Sequence, residues 1–286
     1  MPRNYPNFGP AQQPNQRLRA ITLARLPRLS DLLTTANLAS GVGSILLASQ
    51  GQLTAACWLI FLGAIFDVFD GLAARAMGGG SDLGAQLDSL ADMVTFGVAP
   101  AYLVFVQAST FAGNLIDPQA IPSIAHLPYP DLPSNWPMRI AALALSIASC
   151  WRLAKFNLDT RQTSGFLGLP TPANGLFWSA IVLIAQGAAL HPGPFHQELA
   201  HGFLLTLRSP TWLIIVSVAM ACLMLTELPL PSLKFKHFGL RGNEVMYTLL
   251  GLGAVLVVLY GILAVPLLLV LYLLSPLWGR LFTKVA

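Results

Sequence analysis

The sequence predicts an all-α, polytopic integral membrane protein, a helical bundle of about eight transmembrane helices. Three observations carry that expectation. Hydrophobic residues make up 55% of the 286-residue chain and charged residues only 10%. A soluble domain has about 25% charge, because it needs a polar surface around its core. The apolar residues gather into runs close to the ~20 residues that a helix needs to cross a bilayer. The basic residues are also sorted. With the N-terminus inside, only Arg139 and Arg208 fall outside, leaving 14 of the 16 Lys and Arg on the cytoplasmic side, a bias that orients membrane proteins.

Taken in order, residues 1–16 are rich in Pro, Asn and Gln and read as a disordered tail. No apolar stretch with a small-residue cleavage site follows them, so they do not read as a signal peptide. Residues 17–29 set Arg17, Arg19, Arg25 and Arg28 among Leu and Ile, a mixture that suits a basic amphipathic segment lying on anionic lipid. Residues 30–286 form the membrane domain. Spans are expected at 32–50, 52–76, 84–108, 138–158, 171–190, 211–228, 244–263 and 265–281. The last two come from one apolar block too long for a single crossing at ~1.5 Å per residue, with Pro266 marking the turn. Residues 111–137, with six prolines and no Lys or Arg, and residues 191–210 are expected to be external loops. Eight spans put both termini on the cytoplasmic side of the cell (inner) membrane. Cys57, Cys150 and Cys222 lie in apolar runs without metal-binding spacing, so they read as small core residues.

The stretch DVFDGLAARAMGGGSDLGAQLDSLAD, residues 67–92, carries five of the twelve acidic residues. Asp67 and Asp70 are three apart and Asp88 and Asp92 four apart, so each pair shares one face of a helix. Carboxylates near membrane depth are costly unless paired or bound to a cation. Four of them against Arg75 alone leave too much uncompensated charge for a purely structural role. Hard oxygen donors in this number suit Mg²⁺ or Mn²⁺, and the absence of His and Cys argues against zinc. Two carboxylates from each of two helices can hold two ions and brace a pyrophosphate. Gly71 and Ala74 share the face of Asp67 and Asp70, letting a nucleotide approach the backbone. Arg75 can reach phosphate. Asp82 is expected to cap the third helix. A cation transporter would carry its carboxylates at mid-membrane rather than at a helix end.

The full pattern, D-x2-D-G-x2-A-R-x8-G-x3-D-x3-D from Asp67 through Gly84 to Asp92, resembles the signature of the CDP-alcohol phosphatidyltransferases at every position. These membrane enzymes join an alcohol to a CDP-activated lipid. The continuation SLADMVTFGVAPA is similar to the phosphatidylserine synthases, with Thr95 where Ser is usual. Weaker likenesses follow in order over most of residues 30–276. DLLTTANLASG keeps Thr34 and Asn37 of N-x2-T-x2-N, with Asp31 for the first Asn. CWRLAKFNL keeps Arg152 and Asn157, with Lys155 for Arg, and FLGLPTPANG carries an intruding Asn174. ELPLPSLK parallels a Ser/Pro-rich turn ending in Lys234.

The resemblance implies a two-metal site, with Asp67, Asp70 and Asp88 around one ion and Asp67, Asp88 and Asp92 around the other. It makes Asp92 also the base for the acceptor hydroxyl. It implies contacts to the CDP-lipid near Asp31, Thr34, Asn37, Gly71, Ala74, Arg75, Ser81 and Gly84. It implies phosphatidyl transfer from CDP-diacylglycerol to L-serine, giving phosphatidylserine and CMP. Arg152 or Lys155 would then receive the serine carboxylate, and Asn37 or carbonyls near Pro170 the ammonium. It further suggests a homodimer, within membrane lipid and with no nucleic acid. The alternatives are the same chemistry on glycerol 3-phosphate, inositol or choline, and, more distantly, an intramembrane prenyltransferase, whose Asp motifs lack the G-x2-A-R element.

Overall fold

The first helix packs through small residues. In α1, Leu29–Ser49, the residues Ser30, Thr34, Asn37, Gly41, Ser44 and Ala48 are buried at alternating spacings of four and three. Leu32, Val42 and Leu46 face outward instead. A helix in water would reverse this arrangement. In lipid, small residues let backbones approach closely and polar side chains bond across the contact. The computed structural model describes residues 28–79, 81–116, 136–158, 165–187, 194–231 and 244–283. The expected tail 1–16, nearly all of the basic segment 17–29, most of the 111–137 stretch and Lys234 lie outside the described residues.

Against α1 lies α2, Leu53–Ala76, and after a Gly-rich turn comes α3, Asp82–Asp92. The chain then passes through a six-residue π-helical segment, Met93–Val98, into α4, Ala99–Ile116. Next come α5, Trp136–Leu158, and α6, Thr171–Ala185. α6 is buried over nearly its whole length, enclosed by α2, α4, the π segment and the last helix. α7 is Pro194–Arg208, α8 Pro210–Leu225, α9 Glu244–Tyr260 and α10 Ala264–Thr283. Apolar side chains such as Trp58, Val68, Trp151, Val258 and Leu274 are exposed around the outside, the surface of a protein solvated by lipid. The fold is that of an all-α membrane protein.

Several expectations need correction. A helix lies under each of the eight expected spans, but eight crossings are not established. Among the described residues four stretches qualify by length and apolar composition, Leu29–Ser49, Leu53–Ala76, Leu83–Phe111 and Tyr247–Pro276, or five with the bent α7–α8 pair. The last of these is two antiparallel helices, since a Cβ added at Gly253 would lie 3.3 Å from the side chain of Leu268. Their reversal comes at Gly261, whose φ of +56° ends α9, and not at Pro266, which falls inside the first turn of α10. Residues 194–208 form a helix rather than a loop, meeting α8 at 93°. Its polar Glu198, His201 and Arg208 are exposed while Leu207 is buried, a two-faced pattern that hydropathy averages away. A short antiparallel ladder pairs Gly165–Leu167 with Pro229–Pro231 and fastens the entry of α6 to the segment after α8.

Candidate active site

The acidic motif sits where α2 and α3 meet α1 at one end of the bundle. Spacings of three and four turn each Asp pair toward the same helix, and α1 meets both pairs with polar side chains. Thr34 donates its hydroxyl to Asp70 Oδ2 at 2.7 Å, and Asn37 Nδ2 donates to Asp92 Oδ1 at 3.1 Å. Carboxylate oxygens of Asp67, Asp70 and Asp88 lie within 4.8 Å of one another. Asp88 Oδ1 is buried without a hydrogen-bond partner. Three clustered carboxylates, one with an unpartnered buried oxygen, are a costly arrangement that a divalent cation relieves. The all-oxygen donor set fits Mg²⁺ or Mn²⁺. Asp92 stands one turn beyond Asp88, buried and outside that trio.

Beside the cluster opens a cleft of about 130 Å³. Asp31, Thr34, Asp70, Gly71, Ala74, Ser81, Gly84 and Asp88 all line it. Its walls are also structural. The Arg28 backbone N–H donates to Asp31 Oδ2 at 3.1 Å, and Ser81 Oγ accepts from the Gly84 N–H at 3.0 Å. Ser81, with extended φ and ψ, is therefore the cap of α3 in place of the expected Asp82, which is the first helical residue. Arg28 Nη1 donates to the carbonyl of Gly79 and ties the start of α1 to the Gly-rich turn. Arg75 is exposed, and its Nη1 would be 3.6 Å from a Cβ at Gly71, so its guanidinium lies beside Gly71, which lines the cleft.

The two cations expected at the end of α5 have different surroundings. Arg152 is buried, its Nε has no hydrogen-bond partner, and its guanidinium stacks over the Phe156 ring at 5.1 Å. Lys155 is exposed and donates to the carbonyl of Leu225 at 3.4 Å. Asn157 Nδ2 donates to Ser89 Oγ at 2.8 Å, fastening α5 to the helix that carries Asp88.

A model of the CDP-alcohol phosphatidyltransferase family matches residues 28–228. The chain belongs to the CDP-alcohol phosphatidyltransferase family. Among curated relatives, a CDP-diacylglycerol–serine O-phosphatidyltransferase of Methanocaldococcus jannaschii is 35% identical over 155 residues, 54% of this chain and 60% of the relative. One of the same name from Bacillus subtilis is 33% identical over 145 residues, 51% of this chain and 70% of the relative. An archaetidylserine synthase of Methanothermobacter thermautotrophicus is 32% identical over 181 residues, 62% of this chain and 63% of the relative. The chain thus spans about 60–70% of the length of these relatives.

Within this family framework, two side chains absent from the sequence-derived site stand out. Thr171 and Asn174, in the first turn of α6, are each 1% exposed, and Thr171 Oγ1 and Asn174 Oδ1 have no hydrogen-bond partner. The signal was Asn174 itself, a polar residue in a run of Pro, Ala and Gly. The histidines form no centre among the described residues, since His196 is buried while His201 on the same helix is exposed.

Proposed function

We propose that this chain transfers a phosphatidyl group from CDP-diacylglycerol to L-serine, giving phosphatidylserine and CMP. The observation that carries the reading is the grouping of Asp67, Asp70 and Asp88 beside a cleft, with Asp92 one turn away and held by Asn37. Two divalent cations, Mg²⁺ or Mn²⁺, would be held by these four carboxylates and would neutralise pyrophosphate charge and the departing CMP. Gly71, Ala74 and Gly84 leave room for the nucleotide, and Arg75 reaches its phosphates. The serine hydroxyl attacks the lipid-side phosphorus. Its oxygen forms the new bond, the bond to the CMP oxygen breaks, and the proton passes to Asp92. The bond from Asn37 occupies Oδ1 and leaves Oδ2 for that proton.

For the acceptor, Arg152 is the better partner of the serine carboxylate, being buried with a free Nε, whereas Lys155 is solvated and already donating. Asn37 Oδ1, also buried and unpartnered, suits the ammonium. Serine is common to the names of the three relatives, while the lipid is not. We place the site on the cytoplasmic face of the cell membrane, both termini inside, in a homodimer. The test is CMP release by purified protein from CDP-diacylglycerol with L-serine, ethanolamine, glycerol 3-phosphate, inositol and choline. Serine should be fastest by a wide margin. Faster release with glycerol 3-phosphate or inositol would keep the family chemistry and remove the acceptor.

A further inference from the structure

Directly after Asp92 the helix widens into the π segment, and Thr95 in its middle is completely buried. A π turn holds one residue more than an α turn, so side chains beyond it point in new directions. Helical Ser and Thr usually donate back to the carbonyl four residues earlier. Ser40, Thr110 and Ser179 do so here. Thr95 donates across the bundle instead, to the carbonyl of Asn37 in α1 at 2.9 Å. The backbones around it leave no slack. A Cβ at Gly41 would come within 2.7 Å of Thr95 Cα, and one at Gly63 within 2.6 Å of Thr95 Cγ2 and 3.0 Å of Asn37 Oδ1. Asn37 in turn donates to Asp92 Oδ1. A ring is closed: Asp92, three residues of backbone, the Thr95 hydroxyl, the Asn37 carbonyl, the Asn37 amide, and Asp92 again.

We propose that Thr95 is a positioning residue for Asp92. Its hydroxyl fixes Asn37, so that the Asn37 amide grips one carboxylate oxygen of Asp92 and aims the other at the acceptor hydroxyl. The π turn is what brings Thr95 onto the face that α1 covers. The inference rests on the reading of Asp92 as the base, and the experiment separates the two. Full-length Thr95→Val keeps the shape and loses the donor, while Thr95→Ser keeps the donor. With CDP-diacylglycerol and L-serine, Thr95→Val should lose about tenfold or more in kcat, the cost of misaiming a reacting group, together with a rise in serine KM because Asn37 Oδ1 is also the proposed ammonium partner. Thr95→Ser should keep kcat within about twofold of wild type, since a charge-neutral hydrogen bond is retained. Thr95→Val combined with Asn37→Ala should be no slower than Asn37→Ala alone, because both break one ring. Mn²⁺ binding to the substrate-free protein, read by electron paramagnetic resonance, should survive Thr95→Val, since Asp67, Asp70 and Asp88 group without Asp92. Wild-type kcat in Thr95→Val, additive losses in the double variant, or loss of Mn²⁺ binding would each overturn the inference. An active Asp92→Asn would overturn the base assignment and the inference with it. An inactive Asp92→Asn beside a fully active Thr95→Val overturns the inference alone.

Discussion

Asp88 carries a buried oxygen with no donor, and its neighbours Asp67 and Asp70 are carboxylates too. Without a cation the three repel one another, so their presence weakens the metal-free protein. Asp67→Asn or Asp88→Asn should therefore abolish CMP release while leaving the metal-free melting temperature unchanged or higher. Near-normal turnover in either variant would end the metal reading. EDTA should stop the wild type, and Mg²⁺ or Mn²⁺ should restore it. Asp70→Asn should hurt less, since an amide oxygen can still accept from Thr34. For the acceptor pocket, losing a charge-assisted bond costs roughly 1.5–3 kcal/mol, or about a tenfold to hundredfold rise in serine KM for Arg152→Ala. Lys155→Ala should change KM far less, because that side chain is exposed and bound to a backbone carbonyl. Equal effects at both positions would contradict the assignment. The Asp residues were legible in sequence because their spacings of three and four speak for themselves on a helix. Arg152 and Lys155 were not separable there, since burial of one and exposure of the other depend on what packs against α5.

At the scale of elements, α1 is the part that converts two Asp-bearing helices into one site. It reaches α2 through Thr34, α3 through Asn37 and the π segment through the Asn37 carbonyl. That contact depends on Gly63 in α2, where a Cβ would strike both Thr95 and Asn37. Gly63→Val should overpack it, lowering stability by about 1–3 kcal/mol and activity with it. A melting temperature in detergent and CMP release check this together, and an unchanged protein would mean that the helices can separate freely. The sequence announced α1 through Thr34 and Asn37, but it read MVTFGV as ordinary helix. A π turn has no periodicity of its own over six residues, and only the packing of Thr95 between α1 and α2 reveals it. α7 was missed for a related reason, since its exposed charges hide an apolar face from a hydropathy window.

Over the whole molecule, the charge sorting and the helix directions make one claim about orientation. The turn between α2 and α3, the end of α5 and the end of α8 share one end of the bundle, because Asn157 reaches Ser89 and Lys155 reaches the Leu225 carbonyl. α8 has 16 residues, so at ~1.5 Å per residue its start lies about 24 Å away, at the opposite face. α7 bends away there at 93° with Glu198, His201 and Arg208 exposed, as an interfacial helix would. Among the described residues Arg28, Arg75, Arg152 and Lys155 lie at the active-site end, and we propose on that charge bias that this end is cytoplasmic. In a variant with Cys57, Cys150 and Cys222 replaced by Ala, a cysteine substituted at the exposed Met77 should react with an impermeant maleimide only in inverted vesicles. One substituted at His201 should react only in right-side-out cells. Both cysteines reacting from the same side would refute the placement of α7 and α8 across the bilayer. A clean reversal would keep that placement but put the Asp site outside, cut off from cytosolic serine and CDP-lipid, and the proposed reaction could not then run as described.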